Sequence, residues 1–255
     1  PEKTRGVKVW VIVASALEFI PLIGYSTGLK PSRKQAMPNT QSPAVNPLPP
    51  AVIVLFLIVV LGEMYIAGAE ANLWGSFDSR IYLIRQLSFM PEGFGRAISD
   101  GLWIPELFWR MMTYPFIHGS LMQGVFACVF ILAIGKFVGE VLGNIAVIAI
   151  FFASTIFAAL GFTLFTDSNF PLFGAFPAAY GLIGAFTFVL FSRSEGLLSQ
   201  QFRAFRLLGI LMLINISFSL FQDGPPLWVA ELCGAITGFI SAAIIHPGGV
   251  RFIKK

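Results

Sequence analysis

The chain has 255 residues, of which 56% are hydrophobic and only 12% are charged. A soluble domain carries about 25% charged residues, so this composition excludes a water-facing globule and predicts an integral membrane protein. The net charge of +4 does not indicate a nucleic-acid partner, because the basic residues cluster between apolar segments, as they do in cytoplasmic loops of membrane proteins.

Residues 1–29 contain the first apolar segment, "VKVWVIVASALEFIPLIG", at about residues 7–24. A signal peptide is one reading, but the apolar stretch before the small-residue "ASA" is very short. Two interpretations of this segment stay open: an extra N-terminal span or an interfacial helix. Residues 30–50, rich in Pro, Ser, Asn and Gln, predict a cytoplasmic linker.

Residues 51–250 are predicted to form an all-α membrane domain. Apolar runs of about 20 residues are typical of transmembrane helices, and the Pro-rich "NPLPP" before the first run cannot continue a helix backwards. The six predicted spans are Ala51–Gly68, Pro115–Ile134, Ile145–Thr166, Pro177–Phe191, Phe205–Phe221 and Leu227–Ile245.

The loops between the spans predict an orientation. Basic residues precede the first span, lie between the second and third (Lys136) and between the fourth and fifth, and form a tail at residues 251–255. The connections "TDSNFP" and "QDGPP" have no Lys or Arg. The positive-inside rule therefore places both ends of the six-helix core in the cytoplasm.

The connection 70–112 is then the first extracellular loop. Its stretch "FDSRIYLIRQLSFM" places apolar residues on one helical face and Arg80 and Arg85 towards another, which favours a helix in the headgroup region. The aromatic-rich "GLWIPELFWR" that follows, with Trp109 and Arg110, is also predicted to be interfacial.

Three separated stretches resemble one family. In "ELFWRMMTYPFIHGSLMQGVF" the pair Trp109-Arg110 precedes His118-x-Ser120; "GAFPAAYGLIGA" opens the fourth span; and "WVAELCGAITG" opens the sixth. Their order and the six spans are similar to the rhomboid family of intramembrane serine proteases, over about residues 48–250.

The resemblance implies a Ser-His dyad, but its residues are absent. The family's serine position falls on Phe176 and its histidine position on Glu231. The family's oxyanion-stabilising pair falls on Gln123 and Ala127. A phenyl ring cannot act as a nucleophile, so we expect no catalytic residue and no proteolysis by the family's mechanism.

The residues that shape packing still match the family pattern. Tyr180 is retained, and Gly181, Gly184, Gly234 and Gly238 are expected to bring the fourth and sixth helices together. Phe176 is expected to fill the space between these two helices as a plug.

Glu231 has three interpretations: a structural hydrogen bond to Gln123, a contact to a client or ion, or exposure to water. Glu63, which shares a helical face with Glu70, is expected to be buried or hydrogen-bonded. His118 is expected to be an ordinary interfacial histidine.

The functional expectation is therefore a pseudoprotease that binds transmembrane segments of client or partner proteins within the lipid bilayer. No cofactor or metal site is expected. The alternatives are an accessory subunit of a larger membrane complex and a transporter that uses Glu63 and Glu231. The expected location is a bacterial inner membrane.

Overall fold

A computed structural model of the protein describes residues 47–194, 198–221 and 225–247, the second range without the side chains of residues 198–200. The predicted N-terminal helix within 1–29, most of the linker 30–50 and the basic tail 251–255 lie outside the described residues.

The described chain is helical, with one isolated β-bridge, between Phe89 and Leu172. The helices are α1 Pro50–Glu70, α2 Ser79–Leu87, α3 Pro91–Ser99, α4 Pro105–Thr113, α5 Leu121–Leu142, α6 Asn144–Phe165, α7 Phe176–Ser192, α8 Leu198–Phe221 and α9 Leu227–Ile245, with a 3₁₀ turn at Tyr114–Phe116.

The predicted all-α membrane bundle is confirmed. Helices α1, α5, α6, α8 and α9 are long and apolar enough to cross a membrane, and α7 is shorter, at 17 residues. A short span is tolerated here because α7 contacts α5, α6, α8 and α9 and most of its residues are buried. Neighbouring helices, rather than lipid, therefore surround most of it.

The second span differs from its predicted bounds. Ser120 caps α5 by accepting a hydrogen bond from the Gln123 backbone N–H at 3.3 Å, so the helix begins six residues after Pro115. It continues past Lys136, which had been placed in a loop, to Gly143 with its φ of +91°. Lys136 lies 3.9 Å from Glu140, four residues on along the same helix, and such pairs stabilise a helix.

The connection between α1 and α5 packs against one end of the bundle, which we call the loop end. This end also holds the start of α7, the end of α8 and the start of α9. Arg110 joins α4 to the end of α2, because its guanidinium donates to the backbone oxygens of Arg85 and Ser88 at 3.1 and 3.4 Å. The bridge between Phe89 and Leu172 ties the same connection to the segment before α7.

Candidate functional site

The turn before α7 is held by two hydrogen bonds that its backbone N–H groups donate. Gly174, at φ +96°, donates its N–H to the Tyr114 backbone oxygen at 2.9 Å. The next N–H, of Ala175, is donated to His118 Nε2 at 3.3 Å. A side chain at Gly174 would be strained by its φ and would crowd the Gln123 amide, 2.7 Å from an ideal Cβ. Glycine is therefore required at this turn.

Phe176, the first residue of α7, does not fill the gap between α7 and α9. Its half-buried ring meets the ring of Phe130 on α5 edge-on, with centroids 6.4 Å apart. The predicted position is wrong because α7 and α9 are too close to admit a phenyl ring. A Cβ at Gly234 would overlap the backbone oxygen of Pro177, the residue after Phe176.

The four packing glycines lie where α7 and α9 approach most closely. A Cβ at Gly184 would overlap the Ala235 carbonyl, and one at Gly238 would overlap the Gly181 carbonyl. A Cβ at Gly181 would overlap the Ser154 hydroxyl on α6. Small residues therefore let the backbones of α7 and α9 meet at this point and leave room for the Ser154 side chain of α6.

Gln123 and Ala127 lie on α5, beneath the turn. Gln123 Oε1 accepts the Gly119 backbone N–H at 2.8 Å. Ala127 is fully buried in a core cluster that also contains Ala175 and Ala178. At these two positions the structure provides one amide already engaged in a local bond and one methyl group.

Glu231 forms its hydrogen bond to a residue other than Gln123. Its Oε2 accepts the side-chain amide of Asn215 on α8, and the residue is 6% exposed. The geometric reason is that Glu231 is on the part of α9 that faces α8, whereas Gln123 is turned towards Gly119 and Gly174. Our sequence reasoning missed Asn215, although a polar amide within an apolar span is itself a signal.

A buried polar cluster lies below the turn, and it was only partly anticipated. Arg80 donates to Glu63 at 3.0 Å, to both oxygens of Glu70 at 2.7 and 3.1 Å, and to the His118 backbone oxygen at 2.9 Å. The pKa of Arg80 is raised, mainly by its hydrogen bond to Glu70. The expected burial of Glu63 is confirmed.

Two expectations about this cluster are wrong. Arg80 is buried rather than turned to the headgroups, because two carboxylates on α1 compensate its charge. His118 is fully buried rather than interfacial. Because its Nε2 accepts the Ala175 N–H, the neutral ring carries its proton on Nδ1, which lies 3.2 Å from Glu63 Oε1, close enough for attraction but outside hydrogen-bond geometry.

Trp109 and Arg110 both lie on α4, in the first loop. The side chain of Trp109 is 42% exposed, and Arg110 forms an ion pair with Glu106 at 2.6 Å besides its backbone contacts. These contacts fix α4 on the loop end.

The chemistry available at Phe176, Glu231 and His118 is limited by their side chains and partners. Phe176 offers no nucleophilic atom, the Glu231 carboxylate is bound to Asn215, and the Nε2 lone pair of His118 is occupied by the Ala175 N–H. In the part of the chain that the structure describes, no cluster of three metal-ligating side chains is found.

A comparison with curated proteins finds no match to this chain. A scan against protein-family models matches residues 105–248 to the rhomboid domain. The matched segment covers more than half of the chain and includes α4 to α9, the turn before α7 and the contact between α7 and α9. This protein therefore belongs to the rhomboid family.

Proposed function

We propose that this protein is a catalytically inactive rhomboid, which binds transmembrane segments of other proteins and affects their assembly, stability or degradation without cutting them. The observation that carries the proposal is the direction of two side chains. Phe176 packs towards α5, and Glu231 is bound to α8. A nucleophile and its base must be within hydrogen-bond reach of each other. Two side chains that contact different helices, one of them a phenyl ring, do not form such a pair.

The lack of oxyanion donors supports the same proposal. Acyl transfer needs preorganised donors beside the developing oxyanion. Ala127 has none, Pro177 has no backbone N–H, and the Gln123 amide packs against Gly174. Even if a serine were introduced at position 176, the oxyanion of the transition state would therefore lack hydrogen-bond donors.

The client would dock beside α8, near α5. Of an apolar 18-residue stretch of α8 within residues 201–221, only 11% is buried inside the protein, against 28% to 56% of the corresponding stretches in the other four long spans. A loosely held helix can be displaced at a small cost in packing. We place the protein in a bacterial inner membrane, with the loop end outside.

Two measurements test this function. A serine-directed fluorophosphonate should label an active serine hydrolase control and leave this protein unlabelled. Labelling of any residue of this chain would overturn the inactive assignment. Photo-crosslinkers placed at Leu213 or Phe218, both exposed on α8, should capture membrane proteins, whereas a crosslinker at exposed Ile148 on α6 should capture few.

A second candidate, an accessory subunit of a larger complex, is favoured by exposed aromatic residues in the first loop. The side chains of Trp74, Phe77 and Trp103 are 49%, 71% and 73% exposed. Purification in mild detergent separates the two candidates. One partner at fixed stoichiometry supports the subunit, and many substoichiometric partners support the client-binding function.

A further inference from the structure

Two carboxylates are buried among the helices, and their surroundings differ in charge. Glu63, which is 4% exposed, lies 3.0 Å from the Arg80 guanidinium. Glu231 is 6% exposed, and its partner is the neutral amide of Asn215. Within the described ranges, no ion pair to a basic side chain is found for Glu231.

A buried carboxylate without a neighbouring cation is unusual in a membrane protein because it is energetically unfavourable. Ionisable groups within the membrane are costly and generally pair with a partner of opposite charge. An amide satisfies one hydrogen bond, but it leaves the charge of an ionised carboxylate uncompensated. Among the described residues, an ionised Glu231 therefore lacks a compensating cation.

The surroundings of Glu231 would strengthen an ion pair. Helices α7, α8 and α9 share an apolar cluster of Tyr180, Met212 and Ala235, against which Trp228 and Leu232 pack. Residues 228 and 232 flank Glu231 on α9. A charge pair in such apolar surroundings is screened less than in water.

The Asn215 amide is a partner that another group could displace from Glu231. It is half-buried and belongs to α8, the least buried of the long spans. Glu231 is the fifth residue of α9, near the loop end. A long basic side chain on a client helix can extend several ångströms along the membrane normal, with its stem on apolar surface and its charged end at this carboxylate.

We infer that Glu231 is a recognition site for a lysine or arginine in the part of a client's transmembrane helix nearest the loop end, with the basic group taking the place of the Asn215 amide. This inference rests on the proposed function and names the chemistry of its client. The attraction is between charges, so it distinguishes basic client helices from apolar ones of the same length.

The test uses the full-length protein in nanodiscs and two fluorescent transmembrane peptides. Both peptides are Leu/Ala-rich; one carries a single Lys four residues from the end that inserts at the loop end, and the other carries Met there. The Kd of each is measured by energy transfer to a labelled protein. We expect the wild type to bind the Lys peptide about tenfold more tightly.

Glu231→Gln removes the charge while keeping a side chain that can bond to Asn215, and it should bind both peptides with equal affinity. Glu140→Gln is the matched control, since Glu140 lies near the opposite end of α5 beside Lys136, and it should keep the preference. Glu231→Lys should prefer a third peptide that carries Glu at the same position.

Three results would overturn the inference. Equal binding of Lys and Met peptides by the wild type would do so and leave client binding in place. A Lys preference that survives in Glu231→Gln would show that the cation is recognised elsewhere. Failure of the wild type to bind either peptide would also count against the proposed function.

Discussion

The carboxylate of Glu231 on α9 accepts a hydrogen bond from the side-chain amide of Asn215 on α8. This bond joins a well-packed helix to the least buried long span of the bundle. It therefore acts as a polar link that helps to hold α8 in place.

Asn215→Leu should loosen α8. The change removes the donor and leaves a buried carboxylate unpaired, at a cost of about 1 kcal/mol of stability. Electron-spin distance measurements between labels at Leu220 and Ile236 should show a broader distribution. Ser217→Ala is the control, because Ser217 donates to Leu213 within the same helix at 2.7 Å. An unchanged distribution in Asn215→Leu would contradict the linking role.

Arg80→Met should destabilise the protein strongly. The substitution leaves Glu63 buried without its guanidinium partner, and loss of one member of a buried pair costs about 3 kcal/mol or more. The free energy of unfolding in mixed micelles measures the effect. Arg96→Met should change it by less than about 1 kcal/mol, because the side chain of Arg96 is 74% exposed beside Glu92. Equal effects of the two variants would argue against a structural role for the buried cluster.

Gly238→Ala should separate α7 and α9. The added methyl group would overlap the backbone carbonyl of Gly181, which cannot move aside as a side chain can, so we expect a loss of about 2 kcal/mol. Gly209→Ala on α8 is the matched control, since an added Cβ there meets nothing within 4 Å. It should be neutral or gain up to about 1 kcal/mol in helix propensity. Thermal unfolding of both variants in the same detergent provides the comparison.

Phe176 and Phe130 should be energetically coupled. Edge-to-face aromatic pairs contribute about 1 kcal/mol beyond their buried area, and a double-mutant cycle with alanine at both positions measures that coupling. The control cycle pairs Phe176 with Phe221, whose side chain is 88% exposed, and should give a coupling near zero. A coupling near zero between Phe176 and Phe130 would contradict an energetic role for this ring contact.

Local chain properties explain which parts of the fold were predictable. Runs of apolar residues identify spans because the bilayer imposes one length and one polarity on all of them. The start of α5 was misplaced because a capping side chain, Ser120, sets it, and hydropathy alone does not register a cap. Its end was misplaced because Lys136 and Glu140 continue the helix as a pair.

The candidate site also has features that follow from the sequence and others that depend on the tertiary structure. The sequence by itself determined the all-α membrane class, the approximate positions of the apolar helices and the identity of the side chains at positions 123, 127, 176 and 231, since these depend on composition and spacing. Only the tertiary structure decided that Phe176 faces α5, that Glu231 bonds to Asn215, and that Arg80 and His118 are buried beneath the turn. Those partners come from helices distant in the chain, and the close contact of α7 with α9 determines which gaps remain for them.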